Sequence, residues 1–398
     1  MILNFPGGVH PDERTRLGRS PIENTEICSA LCIEACDNAV AHAQCGTKVS
    51  RGALLGYNGE TPVYAPLSGM FRGIMELDGN RYFVVMAKAD GSEEKPFAPE
   101  ERALTELTGL DILESAKKLG VMETRSGLPL WELLKKAGGN CRRLVIDCTE
   151  SDPAAAINYR LCIERAEEIV AGAKILLRAT GALKCVFAAE HYRRKAFEAI
   201  FQHATDKKLF VPAELEEKYP YGDRALMYAL YVKTLKKDKT ALDEGVFIVS
   251  PETALALYNC MLSGTPHLDR YITVCGKVKK GGNYRVPRGI IFRDIVEICG
   301  GMEENSFFVE NSLLSGKQVF SSLSDGTRTL IAAKETEKIR SECISCGRCA
   351  EVCPVKLVPA HVLAGDRKNL AKHCVSCGAC EYICPGGIPL LSLIKEEQ

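Results

Sequence analysis

The sequence lacks the features that would assign the protein to a bilayer, to secretion or to a nucleic acid. No stretch approaches about 18 uninterrupted apolar residues, the length that a membrane-spanning helix needs. The first residues have no basic region followed by a long apolar run, as a secretory signal would. The 51 basic and 51 acidic side chains cancel, so no charge excess attracts nucleic acid. We therefore expect a cytoplasmic protein without a transmembrane segment, which leaves peripheral association with a membrane complex open.

Cysteine, in contrast, is abundant, with nineteen residues in a chain of 398. A disulfide scaffold would be short, secreted and rich in loops, whereas this chain is long and has regular helix and strand patterns. Metal ligation in a reducing compartment fits better. Eight of the nineteen cysteines lie in two regular runs near the carboxyl terminus, and this distribution favours metal ligation.

The two runs share the pattern C-x2-C-x2-C-x3-C-P, which is typical of ferredoxin-type proteins with two [4Fe-4S] clusters. In such pairs the fourth cysteine of each run binds the cluster of the other run. One cluster is therefore assigned to Cys343, Cys346, Cys349 and Cys384. The other is assigned to Cys374, Cys377, Cys380 and Cys353. Zinc knuckles also use C-x2-C, but four regularly spaced cysteines followed by proline, present twice, favour the clusters.

Two adjacent clusters with all ligand positions filled by thiolates predict an electron relay and no substrate-binding metal centre. A further group, Cys28, Cys32, Cys36 and Cys45, leaves a second question open. On a helix, the first three would line one face and could bind zinc or a third cluster. Their spacing matches no standard set of ligands, which favours reduced, partly buried thiols instead.

Before the clusters, the chain divides into three regions. Residues 1–95 contain short strands with glycine and proline turns, which predict a barrel or sandwich. Residues 100–243 alternate strands and helices, including one long helix over 157–180, and predict a doubly wound α/β domain. Residues 244–333 form a small mixed domain, and residues 334–398 form the two-cluster domain. The fold class expected is therefore multidomain, α/β plus β, with a charged linker near 94–101.

The order of these parts resembles the RnfC family, the peripheral subunits of Rnf electron-transport complexes. The resemblance rests on segments spread over nearly the whole chain: Phe5-Pro6-Gly7-Gly8-Val9-His10-Pro11, Tyr64 to Gly69, Glu164 to Gly172, Tyr271 to Gly276, and the two cysteine runs. It implies a barrel-sandwich domain, a nucleotide-binding α/β domain related to the flavin- and NADH-binding subunit of respiratory complex I, an SLBB (ubiquitin-like) domain and a ferredoxin-type domain.

In that family, a loop of the kind G-x-G-G-A-G-F-P holds the FMN phosphate with its backbone amides. The matching stretch here runs from Gly120 to Trp131 and keeps only Gly127 and Pro129 of the pattern. Glu123 would place a negative charge where the phosphate should lie. The acidic residues Glu150 and Asp152 match a second family motif at a strand end. The resemblance thus implies that Gly127, Glu150 and Asp152 could contact FMN or NADH, in a cradle that has largely lost its glycines.

Two functions remain open from the sequence. The first is an iron–sulfur electron-transfer subunit that relays electrons between a redox partner and an oxidoreductase, the partner being a flavoprotein or metal-containing oxidoreductase. The second is an FMN-containing NADH dehydrogenase module. The altered loop favours the first.

Overall fold

The computed structural model describes residues 2–10, 17–25, 28–87, 106–231, 239–335 and 341–395. The predicted linker near 94–101, and most of a charged helix predicted just before the first cysteine run, fall outside these ranges. Within them, no helix is long and apolar enough to cross a membrane.

The amino-terminal part is a β-sandwich, as the close-set strands predict. After a short strand β1 (Ile22–Asn24), it contains β2 (Ala30–Ala35), β3 (Val40–Ala41), β4 (Lys48–Val49), β5 (Leu54–Asn58), β6 (Thr61–Tyr64), β7 (Gly69–Leu77) and β8 (Asn80–Ala87). The strand orders are β2-β8-β7-β4 and β3-β5-β6. Alternate residues of β8 point to opposite faces, so Phe83 and Val85 enter the core while Tyr82 and Val84 pack with Cys32.

The α/β domain begins with α1 (Gly109–Lys118), β9 (Met122–Glu123), β10 (Leu128–Pro129) and α2 (Leu130–Ala137). It continues with β11 (Arg143–Asp147), α3 (Ile157–Glu164), α4 (Ala166–Thr180), β12 (Lys184–Glu190), α5 (Arg194–His203), β13 (Phe210–Leu215), α6 (Asp223–Leu230), β14 (Val246–Val249) and α7 (Pro251–Ser263). Four parallel strands form one sheet in the order β13-β12-β11-β14.

Both faces of this sheet are covered, which explains its continuous apolar strands. Leu144 and Ile146 of β11 face a core that includes residues of α4 and α7, whereas Val145 faces a second core with α6 and Phe5. The single helix expected over 157–180 is wrong in one respect, because it is two helices. The backbone of Arg165, at φ −130°, leaves the helical region between them.

The third region contains β15 (Asp269–Gly276), β16 (Gly282–Pro287), α8 (Phe292–Ile298), β17 (Ser306–Glu310), β18 (Gln318–Val319) and β19 (Thr329–Lys334). With β1 they form one sheet in the order β1-β16-β15-β19-β17-β18. Its side chains Ile272 and Tyr284 share a hydrophobic core with Phe71 and Phe83 of the sandwich. The sandwich and this sheet therefore stabilise each other.

Two predicted boundaries differ from the structure. A boundary at 243/244 would separate β14 from the sheet that it completes beside β11, and α7 from its packing partner α4. The segment 2–24 does not join the sandwich, because Leu3 and Val9 bridge to Leu215 and Tyr219 while β1 pairs with β16. The physical reason is the same in both cases: strand pairing over a long sequence separation satisfies backbone groups that a local reading of the sequence cannot assign.

The carboxyl-terminal domain contains short helices: α9 (Arg348–Glu351), a 3-10 helix (Pro359–Ala364), α10 (Arg367–His373), α11 (Ala379–Tyr382) and α12 (Leu390–Lys395). Its small core combines cysteines of both runs with apolar residues such as Leu370, Leu390 and Ile394.

Candidate functional site

The two cysteine runs have the same backbone conformation. Ser345 and Gly347 adopt φ values of 53° and 77°, and Ser376 and Gly378 repeat them at 54° and 74°. Each glycine then begins a four-residue helix, α9 or α11. The left-handed residues bend each C-x2-C-x2-C segment into a loop whose three thiols face inward, as a cubane cluster requires.

The first group of thiols lines one small cavity. Cys343, Cys346 and Cys349 surround it together with Cys384, and no cysteine of the other group takes part. The fourth ligand thus comes from the opposite run, which is the crossed pattern that the spacing predicts. Cys343 and Cys346 are exposed. This end of the domain is open to solvent.

The second group is more buried and equally close-set. Burial raises the pKa of the Cys377 thiol to about 11, and the neighbouring Cys374 and Cys353 add to that rise. Backbone amides donate to two of the sulfurs: Leu357 N to Cys353 Sγ at 3.2 Å, and Ser376 N to Cys374 Sγ at 3.3 Å. Such donors stabilise thiolates bound to a cluster. Both groups therefore fit a [4Fe-4S] cluster in thiol number, grouping and donor environment.

Only the second run packs closely against the rest of the protein. The Tyr219 hydroxyl donates to the carbonyl oxygen of Cys377 at 2.8 Å and lies 2.9 Å from Ser315 Oγ. A Cβ on Gly378 would lie 1.8 Å from the carbonyl oxygen of Leu314, whereas a Cβ on Gly347 would meet nothing within 4 Å. The second run is buried at an interface, and the first run faces outward.

The amino-terminal segment Phe5-Pro6-Gly7-Gly8 lies against the same interface. Gly8 N donates to the carbonyl oxygen of Val352 at 2.8 Å. A Cβ on Gly7 would approach the backbone of Cys353 to 2.7 Å, so only glycine fits there. This segment therefore attaches the cluster domain to the α/β sheet, a role that the sequence motif did not reveal.

A cavity of about 890 Å³ lies beyond the carboxyl ends of β11, β12 and β13. Glu150 and Asp152, predicted as cofactor-binding residues, line it together with Glu190 and Tyr219. This is the edge of a parallel sheet at which ligands usually bind. Because Tyr219 borders both the cavity and the Cys377 loop, the cavity adjoins the second cluster group.

Both predicted acids already have partners within the protein. Glu150 accepts the amide of Tyr159 at 2.9 Å and forms an ion pair with Arg193 at 3.1 Å. Burial raises the pKa of Glu150, and the Arg193 guanidinium opposes that rise. Asp152 accepts the amides of Ala154 at 2.9 Å and Leu313 at 3.1 Å. The sequence analysis missed Arg193, because this residue belongs to no motif.

The third predicted residue, Gly127, lies in a tight hairpin and does not border that cavity. Strands β9 and β10 pair antiparallel around Thr124–Gly127, and Gly127 N donates to the carbonyl oxygen of Glu123 at 2.8 Å. Gly127 has a φ of 71°, and a Cβ there would lie 3.0 Å from Gly326 N. Its glycine is thus required by contact with the SLBB-like region. The structure brings Glu150 and Asp152 together and leaves Gly127 apart from them.

The hairpin does not fit the phosphate of FMN. The carboxylate of Glu123 lies inside the turn and accepts the amides of Arg125 and Ser126 at 3.1 and 2.9 Å. The Arg125 guanidinium contacts Asp147 at 3.0 Å and Asp223 at 2.6 Å, so its charge is balanced as well. The groups that could bind a phosphate at this loop are already engaged by the protein's own acids.

The four cysteines near the amino terminus do not form a site. The expectation of a helix is wrong, because Cys32 lies in strand β2. At about 3.3 Å per residue, a spacing of four along an extended chain separates two residues by about 13 Å. Cys36 and Cys45 donate instead to Asn38 Oδ1 and to the carbonyl of Arg72. Among the described residues, no group of three or more His, Cys, Asp or Glu could hold a single metal ion.

Three family models match the chain. The FMN-binding domain of the Nuo51 type matches residues 124–259, the SLBB domain residues 271–309, and the 4Fe-4S dicluster domain residues 342–388. The first match extends through β14 and α7, in agreement with the sheet.

Curated relatives and solved structures extend these matches. The RnfC protein of the proton-translocating ferredoxin:NAD(+) oxidoreductase complex of Clostridium ljungdahlii is 25% identical, over 93% of this chain and 86% of the relative. The RnfC protein of the Na(+)-translocating complex of Acetobacterium woodii is 26% identical, over 92% and 88%. A chain of an NAD+-reducing [NiFe]-hydrogenase in its H2-reduced state has a TM-score of 0.50 and 16% identity. That alignment covers 66% of this chain and about half, 53%, of the hydrogenase chain.

The hydrogenase similarity shows a shared fold and nothing further. The order of domains and the near full-length matches to two RnfC proteins have a single explanation: this chain belongs to the RnfC-like family and transfers electrons through a ferredoxin-type domain with two [4Fe-4S] clusters.

Proposed function

We propose that the chain is a cluster-only relay subunit of a multisubunit oxidoreductase complex in the cytoplasm. In this proposal Cys343, Cys346, Cys349 and Cys384 bind one cluster, and Cys374, Cys377, Cys380 and Cys353 bind the other. The observation that carries the proposal is the asymmetry of the two groups. One is packed against Tyr219 and Leu314, and the other is open to solvent.

Each cubane, once bound, would accept and release one electron. The second group is placed to exchange electrons with the interior side, near the α/β cavity and whatever redox subunit docks beside it. The first group is placed to exchange electrons with a partner that approaches its exposed loop. Ile344, in the middle of that loop, is 70% exposed. An exposed apolar side chain next to a redox centre is typical of a small, transient electron-transfer contact.

The partner is proposed to be a flavoprotein or a metal-containing oxidoreductase. The relatives are named as components of ferredoxin:NAD(+) oxidoreductase complexes, which supports membership of a complex of that kind. The sandwich, α/β and SLBB-like parts present the larger surface, and we propose that they form the lasting contact. The cluster domain would then face the partner's cofactor. The domain division proposed for this assembly assigns β14 and α7 to the α/β part.

A second candidate is an FMN-containing NADH dehydrogenase module. It is favoured by the match to an FMN-binding domain and by the cavity of about 890 Å³ at the strand ends. The engaged Glu123 and Arg125 argue against it. Anaerobically purified protein separates the two functions: a relay has a broad cluster absorption without releasable flavin, and does not reduce dyes with NADH. One flavin per chain after gel filtration, with rapid NADH oxidation, would establish the second candidate.

The direction of the relay is testable with a pair of exposed apolar residues. In the proposal, Ile344→Asp slows electron exchange with the co-purified partner several-fold and leaves the iron content unchanged. Leu183→Asp is the matched control, since Leu183 is 77% exposed and precedes β12 at the opposite, amino-terminal edge of the sheet. Equal rates for the two variants would refute docking at the first run.

A further inference from the structure

Glu123 is a buried carboxylate, only 2% exposed, with an unusually complete set of donors. Besides the amides of Arg125 and Ser126, it accepts the Ser126 hydroxyl at 2.7 Å. Across the domain, the amide of Ser250 and the hydroxyl of Thr253 approach it at 3.4 and 3.3 Å. Ser250 is the N-cap of the 13-residue helix α7. The carboxylate thus joins the hairpin turn to the positive end of a helix.

Positive charge surrounds this carboxylate as well. Glu123 interacts electrostatically with three buried guanidinium groups, those of Arg125, Arg270 and Arg328. A turn with inward amides, a helix amino terminus and several arginines is the set of features that proteins use to bind phosphate. Here the anion in the centre is a side chain of the same chain.

The hairpin has no free space for a second anion. The amides of Arg125 and Ser126 point at Glu123, and Gly127 is in contact with Gly326. The guanidinium of Arg125 turns away to Asp147 and Asp223. A phosphate could enter only if the carboxylate left, and its departure would leave at least three donors without an acceptor.

We propose that Glu123 is a built-in anion that occupies the phosphate position of this loop, and that removing it uncovers an oxyanion-binding site. The inference deepens the cluster-only function proposed above, because it explains how a nucleotide-binding frame persists without a nucleotide. The frame keeps its anion-binding donors, and the chain satisfies them itself. The same donors then hold β9, the hairpin turn and α7 together.

The test uses Glu123→Ala and Glu123→Gln, with Glu114→Ala as control because Glu114 is exposed on α1. Thermal unfolding of the cluster-loaded protein is measured in sodium chloride, sodium phosphate and sodium acetate of equal ionic strength. Trp131, the only tryptophan, begins beside the hairpin in α2 and reports on this domain. Acetate replaces the atoms that Glu123→Ala deletes, and phosphate tests the cradle itself.

We expect Glu123→Ala to melt about 5 °C or more below wild type in chloride, and to regain at least half of that loss in phosphate or acetate. Glu123→Gln melts lower too but shows no response to the anions, because its amide still fills the site. Wild type and Glu114→Ala respond to neither. If Glu123→Ala melts like Glu114→Ala, or is equally destabilised in all three salts, the proposal is wrong.

A second measurement applies even if Glu123→Ala does not fold. In Glu123→Gln, the amides of Arg125 and Ser126 should exchange with deuterium at least tenfold faster than in wild type, because the carboxylate that accepts them is gone. Unchanged exchange would overturn the proposal. The flavin content and NADH oxidation of the wild-type protein decide the proposed function separately, so the two can fail independently.

Discussion

The glycines at equivalent positions of the two cysteine runs provide a matched experiment within one chain. Gly347 and Gly378 have left-handed backbones with φ values of 77° and 74°, and each precedes a four-residue helix. Replacing either by alanine costs about 1–2 kcal/mol for the left-handed conformation alone. This cost is common to both sites, so any difference between the variants comes from what surrounds them.

The surroundings differ sharply. An alanine Cβ at 347 meets nothing within 4 Å, whereas at 378 it would lie 1.8 Å from the carbonyl oxygen of Leu314. The second run would have to move away from the SLBB-like region by about 1 Å or more, because heavy atoms in contact need roughly 3.5 Å. Overpacking of this kind typically costs about 1–3 kcal/mol beyond the shared term. It would also lengthen the hydrogen bond between Tyr219 and Cys377.

The assay is anaerobic urea unfolding of both variants, with visible absorption to verify that each retains its clusters. We expect Gly378→Ala to be less stable than Gly347→Ala by about 1–3 kcal/mol. Deuterium exchange should rise in the segment around Leu314 and Tyr219 for Gly378→Ala only. Equal stabilities and equal exchange in the two variants would show that the second run is not docked as described, and the proposed inward direction of the relay would lose its basis.

Three further outcomes are expected. Cys384→Ser should lower the iron content from about eight to about four atoms per chain and remove the electron paramagnetic resonance signal of the Cys343 group; loss of the other signal instead would refute crossed ligation. Glu252→Gln should cost about 3–5 kcal/mol in unfolding free energy, because Glu252 and Arg270 form a buried pair at 2.8 Å; a loss below 1 kcal/mol would contradict this. Burial lowers the pKa of His267 to about 3, so the unfolded state takes up a proton first as pH falls below about 6.5. Stability should therefore fall by about 1 kcal/mol more between pH 7 and 5.5 in wild type than in His267→Asn, and parallel pH profiles would rule this out.

Local patterns were sufficient for the cluster domain. The positions of the eight cysteines follow from spacing alone, because the loop that wraps a cubane is short and its ligands lie within a few residues. The short strands of the sandwich and the alternating elements of the α/β region were likewise readable from periodicity and turns. Errors arose where contacts are distant in sequence: Arg165 divides a helix without proline or glycine, and β14 pairs with β11 about a hundred residues away.

The sequence by itself determined that this protein holds two clusters, that its parts follow the order of the RnfC-like family, and that its phosphate loop carries Glu123 in place of glycine. Only the tertiary structure decided what these features do. It packs Gly378 and Tyr219 against each other's regions, and so makes one cluster group internal and the other external. It also directs the amides of the hairpin and of α7 onto Glu123. Both results depend on backbone groups that meet across domains, and no local pattern in a sequence specifies which distant carbonyl or amide a residue will face.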